Sequence, residues 1–445
     1  MKKPAAPPAL ERDRLRDVIE AMLLLEGAAD PWLHWDELRY KVPPDGLTHE
    51  AWWWGLKLKR RASLRDLPLR DPRGAPFRVA LPDEAFDLLR VVNQTSAGRL
   101  AVDDQVLNDD NRRRFLISSL QEEAIFSSLL EGAGTTRSAA KDMLRTGRAP
   151  ANEGERMVLA NYRAMEAVSS WRSEAITPER IRELHAIVTE RTLPDADRGR
   201  LRDDADDVVV VEHGYGEVLH RPPPAVELRD RLAALCAFAE GEGSGVLGDP
   251  VVRSVLLHFW LAYDHPFVDG NGRTARALFY WSMLRRGYWL TEFVPLSRVL
   301  REARVQYLRS FLYVETDEGD TSYFVLHQLR MLVRAIRDVE AWLSRKHREV
   351  RDAERLLQPG RYNHRQLALV QHALRHADAV YTFQSHQGSH GISYPTARED
   401  LLRLEADGLL RSFKRGKQVV FEATEALRAG TRPSVKTDGT GAARG

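Results

Sequence analysis

The sequence predicts a mainly α-helical protein with only short β elements. Apolar residues recur with helical periodicity through most of residues 96–350. Within this block, LLHFWLAYDH and GRTARALFYWSMLRRG are expected to form consecutive helices, and residues 325–357 a long amphipathic helix. One interruption, at about residues 206–224, has a valine run, a Gly-Tyr-Gly turn and a second short run, which predicts a β-hairpin.

The length of 445 residues exceeds that of one ordinary domain. Turn residues cluster near RVVNQTSAG, which indicates an N-terminal unit at 1–95, largely helical, before the block at 96–350. After the break QPGRYNH, a third unit is expected at 360–425. Residues 426–445 contain too few apolar side chains to pack, so a disordered tail is expected there.

Composition excludes several classes of protein. The 66 basic and 64 acidic residues leave a net charge of +2, which gives no argument for nucleic-acid binding by itself. The single Cys236 excludes an internal disulfide framework and a metal site made only of cysteines. The two lysines of MKKPAAPPAL precede no apolar signal segment, and no run of about eighteen uncharged apolar residues follows. We therefore expect a cytoplasmic protein without membrane partners.

The segment HPFVDGNGRTAR, residues 265–276, lies between the two predicted helices. Pro266 ends the first helix, and the second begins near Gly272, so the segment is a loop that leads into a helix N-terminus. Such a terminus binds anions through its unpaired N–H groups and its dipole. Gly270 and Gly272 allow the backbone to approach a phosphate closely.

The polar side chains of this loop fit the same task. Arg273 and Arg276 are three residues apart and therefore share a helical face beside the anion. The amide of Asn271 can donate to phosphate oxygens. Phosphate would repel Asp269 unless a cation lies between them, and Mg²⁺ commonly binds one carboxylate together with phosphate oxygens. His265 is the group that can accept a proton near neutral pH.

HPFVDGNGR followed by TAR resembles the active-site motif of the Fic family, His-Pro-Phe-x-(Asp/Glu)-Gly-Asn-Gly-Arg-x-x-Arg, at every specified position. The resemblance implies a helical Fido-fold enzyme that transfers AMP from ATP to a Tyr, Thr or Ser hydroxyl of a target protein. It also implies a role for each residue: His265 is the general base, Phe267 anchors the loop, Asp269 holds Mg²⁺, Asn271 and the backbone of Gly270 and Gly272 hold the phosphates, and Arg273 and Arg276 bind the β- and γ-phosphates. The plainer alternative is a solvated turn beside a core histidine.

A second motif lies upstream, in EEAIFSSLLEGAGTT. Ser127 and Glu131 are four residues apart on one face of a predicted helix at about 120–132, and Gly132 is a natural helix end. The motif resembles the inhibitory sequence of Fic proteins, (Ser/Thr)-x-x-x-Glu-(Gly/Asn). The resemblance implies that the Glu131 carboxylate occupies Arg276, which then cannot bind the γ-phosphate. Otherwise Glu131 is an ordinary carboxylate at a helix end.

The predicted hairpin at 206–224 resembles the Fic flap, which aligns the target segment beside the active site by strand pairing. His220 and Tyr215 contact nucleotide or target on this interpretation, or are ordinary flap residues. The short sequence GRLR at 199–202 is also similar to the family, although it is a weak signal alone.

The C-terminal unit resembles a winged helix-turn-helix, because two predicted helices precede two short strands around an Arg-Gly-Lys turn. Its wing carries four basic residues, Arg411, Lys414, Arg415 and Lys417, whereas the preceding helix carries several acidic ones. DNA binding and protein docking or dimerisation both remain open for this unit.

Two classes of function follow. The first is an autoinhibited protein AMP transferase that uses ATP and Mg²⁺, with removal of AMP or transfer of another phosphate-containing group as variants. The second is a DNA-binding regulator with a Fic core as its sensor. The complete motif favours the enzyme, since a binding module needs neither a base at 265 nor a carboxylate at 269. The resemblance also implies a homodimer.

Overall fold

The computed structural model describes residues 2–25, 32–96, 109–211, 216–241, 245–288, 294–356, 362–376, 379–415 and 418–428. Its chain divides into two compact units, residues 1–339 and 340–445. Helices dominate both units, which confirms the mainly α prediction. Among the helices of the described ranges, none is long and apolar enough to cross a membrane.

The helices of the first unit are α1 Leu15–Leu24, α2 Trp35–Leu38, α3 His49–Arg61, α4 Asp83–Ser96, α5 Asp109–Leu130, α6 Arg137–Thr146, α7 Glu153–Ser170, α8 Pro178–Val188, α9 Leu228–Glu240, α10 Pro250–Asp264, α11 Asn271–Arg285, α12 Leu296–Glu302 and α13 Arg304–Thr316. Helix α14, Ser322–Leu356, continues into the second unit and coincides closely with the long helix predicted at 325–357. Two antiparallel strand pairs accompany them: β1 Arg65–Arg70 with β2 Pro76–Val79, and β3 Val210–Val211 with β4 Val218–His220.

The N-terminal residues pack within the first unit, whereas the sequence indicates a domain boundary near residue 95. The buried Lys57 ammonium lies 2.6 Å from the buried Asp317 carboxylate. The ring of His34 stacks on Tyr313, with centroids 4.3 Å apart. These partners are separated by more than 250 residues along the chain, so periodicity within the N-terminal segment could not reveal them. Residues 2–95 and the helical block therefore share one compact unit.

Helix α10 forms the centre of the first unit. Nearly every residue from Val251 to Asp264 is buried, as the apolar circumference of LLHFWLAYDH predicts. The Asp249 carboxylate caps the N-terminus by accepting from the N–H groups of Val251 and Val252. The helix ends at Asp264, just before Pro266. The loop, predicted at 265–272, follows and ends at residue 270, and α11 packs against α10 along most of its length.

Two further elements lie near the end of α10. Helix α5 is longer than the inhibitory helix predicted at about 120–132, and it ends at Leu130, followed by Gly132 with a φ of +89°. Strands β3 and β4 are antiparallel at the place where the hairpin is predicted. Residues 212–215 of that hairpin, which include Tyr215, lie outside the described residues.

The second unit has its own core. Helices α15 His364–Arg375, α16 Phe383–His390 and α17 Tyr394–Ala406 pack against a sheet of order β5-β7-β6, with β5 Val380–Tyr381, β6 Leu410–Arg415 and β7 Gln418–Ala423. Fully buried Val370, Leu401 and Phe421 lie at its centre. The sequence assigns residues 426–428 to the tail, but they end helix α18, Glu425–Arg428, because Leu427 packs into this core. The expected disorder of 429–445 concerns residues outside the described ranges.

Candidate active site

The loop between α10 and α11 is closed by its own side chains. His265 ends α10 in the left-handed conformation, with a φ of +47°, and its N–H donates to the carbonyl of Leu261. Phe267 is fully buried, as the anchor role requires. The Asn271 amide donates to the Phe267 carbonyl at 2.8 Å, and its oxygen accepts from the Phe267 N–H at 2.9 Å. These two bonds tie the loop to the first turn of α11.

The role predicted for the Asn271 side chain therefore needs correction. Its amide and its oxygen both serve the loop backbone, and the residue is 2% exposed, so the amide is not directed at an incoming phosphate. The N–H groups in the first turn of α11, which starts at Asn271 with Gly270 as its N-cap, are left for an anion. Gly270 has a φ of +80°, and a β-carbon there would lie 2.7 Å from a methyl of Thr189. The position thus requires glycine.

His185 holds the far side of the loop. Its Nε2–H donates to the Asp269 carbonyl at 2.8 Å, while its Nδ1 accepts from the Gly199 N–H at 2.9 Å. The ring also stacks on Phe267, with centroids 3.7 Å apart and planes 6° from parallel. Burial lowers the pKa of His185 to about 4, so the ring is neutral at pH 7, as this pattern of one donor and one acceptor requires. Sequence reasoning missed this residue, because nothing local distinguishes a buried helix histidine.

Arg202 holds the backbone of the candidate base. Its Nε donates to the His265 carbonyl at 2.8 Å, and its Nη2 donates to the Pro223 carbonyl at 2.5 Å, just beyond strand β4. Its main-chain N–H donates to the Pro266 carbonyl at 2.9 Å. Gly199 and Arg202 are the first and last residues of GRLR. This weak sequence signal therefore marks the segment whose hydrogen bonds hold the loop.

The His265 ring is poised to accept a proton. Its Nδ1 lies 3.2 Å from the Ala262 carbonyl, which can only accept, so Nδ1 carries hydrogen and Nε2 keeps its lone pair. Burial lowers the pKa of His265 to about 4, which keeps the imidazole neutral at pH 7. The residue lines a pocket of about 160 Å³ together with Glu131, Gly272, Arg276 and Tyr307.

Arg276 also lines this pocket, and it is held by the C-terminal end of α5 and by the residue that follows this helix. Its Nη2 lies 2.8 Å from the Glu131 carboxylate and 3.0 Å from the Ser127 carbonyl, and its Nε donates to the Ser127 hydroxyl at 2.9 Å. Arg276 is 2% exposed, whereas the Glu131 side chain keeps 36% of its surface exposed. Burial opposes ionisation of Glu131, yet the Arg276 guanidinium prevails and holds the pKa of that carboxyl below its usual value.

The Glu131 carboxylate lies directly over the first turn of α11. A β-carbon added to Gly272 would lie 2.1 Å from a carboxylate oxygen of Glu131, so only glycine permits this approach. The carboxylate thus takes the place beside the helix N-terminus that an anionic ligand would occupy. Gly132 follows with a positive φ and turns the chain away.

Arg273 is held by the loop and by the C-terminal end of α8. Its Nη1 donates to the Val188 carbonyl at 3.0 Å, and its Nη2 lies 3.2 Å from the Asp269 carboxylate. The Asp269 side chain is 65% exposed. Within the described residues, no group of three or more His, Cys, Asp or Glu side chains is placed to hold a metal ion. A single exposed carboxylate beside an anion cradle fits Mg²⁺, which in nucleotide sites is bound by one or two carboxylates and by substrate phosphates.

The remaining predicted residues are His220, which lines the same pocket as His265, and the basic residues of the wing in the second unit. His220, on β4, is buried, and its two ring nitrogens contact the Tyr263 carbonyl at 2.7 Å and the Glu315 carboxylate at 2.9 Å. In the second unit, Arg411 is paired with Glu422 and Lys414 is exposed on the same strand. The Arg415 side chain and Lys417 lie outside the described part of the wing.

A profile of the Fic/DOC family matches residues 175–283, which include α8, the flap strands, α10, the loop and most of α11. The chain is similar to the "Protein adenylyltransferase Fic" of Nematostella vectensis, with 30% identity over 168 residues, 36% of this chain and 37% of the relative. A second protein of that name, from Drosophila mojavensis, is 36% identical over 106 residues, 24% of this chain and 19% of the relative. The chain thus spans well under half the length of these curated relatives.

A solved structure supports the fold. A Fic family protein from Desulfovibrio desulfuricans G20 superposes with a TM-score of 0.52 and 21% identity, covering 78% of this chain and 97% of that one. At this identity the likeness bears on the fold alone. It extends well beyond the 109 residues matched by the profile, so the shared architecture includes helices outside the motif.

Proposed function

Because residues 175–283 form a Fic domain, we propose that this protein transfers AMP from ATP to a hydroxyl side chain of a target protein, and that Glu131 holds it in an inhibited state. The observation that carries the proposal is the position of one guanidinium. Arg276 lies beside the anion cradle, in the same pocket as His265, and is occupied by Glu131.

His265 is the general base of this reaction. Its Nε2 accepts the proton of the target hydroxyl, whose oxygen attacks the α-phosphorus of ATP. The new bond joins that oxygen to the α-phosphorus, the bond to the β-phosphate oxygen breaks, and pyrophosphate leaves. Arg202 and the Ala262 carbonyl keep the ring in place, because one fixes the main chain of His265 and the other fixes its tautomer.

The nucleotide phosphates bind at the start of α11. The backbone of residues 270–272 provides N–H groups, and Arg273 and Arg276 provide charge for the β- and γ-phosphates. Asp269 would hold Mg²⁺, which would neutralise part of the phosphate charge. Asn271 acts indirectly by fixing the loop, in contrast to the direct role that the sequence suggested.

Inhibition follows because the Glu131 carboxylate and the γ-phosphate compete for the same N–H donors of Arg276. A guanidinium that is bonded to a carboxylate cannot make the same hydrogen bonds to a γ-phosphate. Ser127 strengthens the inhibited arrangement, since its hydroxyl and carbonyl accept from the same Arg276. ATP therefore binds without the phosphate alignment that transfer needs.

The test is labelling of proteins by ATP carrying a labelled α-phosphate. We expect the Glu131→Gly variant to label itself or a lysate protein about 10- to 100-fold faster than wild type, since a charged hydrogen bond contributes about 1.5–3 kcal/mol. Glu302→Gly is the matched control, because it removes another Arg–Glu pair at a helix end outside the pocket. Mass spectrometry of the labelled protein identifies the transferred group and whether Tyr, Thr or Ser receives it. Equal labelling by wild type and Glu131→Gly would show that Glu131 does not inhibit transfer.

Removal of AMP is a second candidate function, favoured by the exposure of Glu131 inside the pocket. A partly exposed carboxylate near His265 can position a water molecule for attack on a bound AMP-protein. Incubation of an AMP-modified target with wild type and with Glu131→Gly separates the two activities. Release of AMP by wild type only would assign this second role to Glu131.

Further expectations rest on resemblance and stay predictions. They are a winged helix-turn-helix in the second unit, DNA or protein binding by its wing, a homodimer and a cytoplasmic location. An electrophoretic mobility shift of DNA that is lost when Lys414, Arg415 and Lys417 are neutralised would support nucleic-acid binding. It would favour the alternative of a DNA-binding regulator.

A further inference from the structure

A large cleft of about 840 Å³ lies beside the flap. Three segments form its walls: residues 71–78 of the β1–β2 hairpin, residues 218–221 (strand β4 and the residue after it), and residues 315–319 at the C-terminal end of α13 and just beyond it. Its volume lies in the range of protein pockets that enclose a ligand of several side chains. The N-terminal hairpin, which the Fic/DOC profile does not cover, thus forms one side of a cleft whose other side is the flap.

The cleft opens towards the candidate base. Leu219, His220, Tyr263 and Glu315 line both this cleft and the smaller pocket that contains His265. By contrast, the phosphate cradle at residues 269–273 lines no part of the cleft. A chain in the cleft would therefore reach the pocket of His265 past Leu219, His220, Tyr263 and Glu315, without passing over the phosphate cradle.

The acidic groups of the cleft are already paired within the protein. Asp71 accepts from the N–H groups of Arg73 and Ala75 at 2.9 and 2.8 Å. Glu315 contacts His220 at 2.9 Å, and Glu318 lies 3.7 Å from the Lys57 ammonium. The lining thus carries three carboxylates, of which Glu318 is 67% exposed, against four cationic side chains, Lys3, Arg73, Arg78 and Arg221.

Two of the cations are not paired. Arg221 and Lys3 are both exposed on the lining, and neither contacts a carboxylate within the described parts of the chain. The cleft consequently presents a surplus of positive charge to whatever enters it, and a complementary ligand carries negative charge.

We propose that this cleft binds an acidic, extended segment of the target protein next to the hydroxyl that is modified. This inference rests on the proposed transfer of AMP and specifies its partner. An extended chain advances about 3.3 Å per residue and alternates its side chains between the two walls. Acidic side chains two or more residues from the hydroxyl meet Arg221 and Lys3, while the hydroxyl lies near His220 and reaches the pocket of His265.

The test measures binding, so that it does not depend on transfer. The full-length His265→Ala variant is titrated into fluorescent 15-residue peptides with a central Tyr, flanked by Glu, by Gln or by Lys. Fluorescence anisotropy should show the Glu peptide binding at least about tenfold more tightly than the Gln peptide, with the preference reduced in 0.5 M salt. Arg221→Glu and Lys3→Glu are each added to His265→Ala, and each should lower the affinity for the Glu peptide by about tenfold. Arg301 is an exposed arginine outside the cleft, so Arg301→Glu in the same background should leave that affinity unchanged.

Three outcomes would overturn the proposal. The first is equal affinity for the three peptides, and the second is an equal loss of affinity for the Glu peptide in Arg221→Glu and Arg301→Glu. The third is displacement of the peptide by ATP, which would make the cleft a nucleotide site. Melting temperatures of the variants verify that each is folded. If the peptides bind as stated but Glu131→Gly transfers no AMP, peptide binding by the cleft is confirmed and the proposed AMP transfer is wrong.

Discussion

Arg273 and Arg276 begin the same helix and are almost equally buried, at 1% and 2% exposure, yet different parts of the chain hold them. Arg273 bonds to Asp269 and to the carbonyl of Val188, both inside the segment 175–283 that the Fic/DOC profile matches. Arg276 bonds to Ser127 and Glu131, which lie outside it. One side of the loop, the fixed side, is thus held by that segment, whereas the other, the exchangeable side, contacts residues upstream of it. In the proposed function, the fixed side builds the catalytic geometry, and the exchangeable side controls it when the γ-phosphate replaces Glu131 on Arg276.

The largest expected effect is on the chemistry that both sides serve. Replacement of His265 by Ala removes the proton acceptor and should reduce AMP transfer by about 10²- to 10⁴-fold, the usual contribution of a general base. ATP affinity should change little, because the base acts on the target hydroxyl. Calorimetric titration with ATP checks the second point. Transfer above a tenth of the starting rate, measured in the Glu131→Gly background, would exclude His265 as the base.

On the fixed side, Asn271→Ala should lower the stability of the fold. It leaves the buried N–H and carbonyl of Phe267 without partners, at a cost of about 2–4 kcal/mol in the free energy of unfolding. Asn271→Asp keeps the acceptor for the Phe267 N–H but places a carboxylate oxygen against the Phe267 carbonyl, so its melting temperature should also fall below that of wild type. Unchanged melting of both variants would show that these bonds do not hold the loop.

On the exchangeable side, Ser127→Ala should act in the opposite sense. It removes one hydrogen bond of about 0.5–1.5 kcal/mol from the inhibited arrangement and should raise the rate of labelling by about 2- to 10-fold. Ser128→Ala is the control, since Ser128 is fully buried but its hydroxyl donates to the Ala124 carbonyl of its own helix. A rise produced equally by the control would point to a general loosening of α5.

The smallest expected effect concerns pH. Burial lowers the pKa of His265 to about 4, so the base is neutral at both pH 7 and pH 6. The kcat/KM of Glu131→Gly should change by less than about 1.2-fold between these values, whereas a base with the ordinary histidine pKa of about 6.5 would lose about threefold. Removal of the Glu131 charge lowers this pKa further, since that charge favours the imidazolium. A threefold loss at pH 6 would contradict the buried, neutral ring.

The contrast between the two sides also explains what sequence reasoning could reach. The motif at 265–276, the buried helix before it and the Ser127–Glu131 spacing are local patterns, and each predicts an element or a face. The hydrogen bonds from His185 and Arg202 to the loop join residues more than 60 positions apart, and no local spacing encodes them. The role of Asn271 was mistaken for a related reason, since its spacing predicts proximity to a phosphate but not the competing partner, Phe267. The place of the N-terminal hairpin beside the flap likewise depends on distant contacts, among them those of Phe77 with Tyr263 and of Arg78 with Asp320.

The central claim is that Glu131 and the γ-phosphate compete for Arg276, and the affinities of ATP and ADP test it most directly. Calorimetry should give wild type similar dissociation constants for the two nucleotides, because Arg276 is occupied in both cases. Glu131→Gly should bind ATP about tenfold more tightly than ADP, since the freed guanidinium gains a charged hydrogen bond to the γ-phosphate. The same ratio of ATP to ADP affinity in both proteins would contradict the claim.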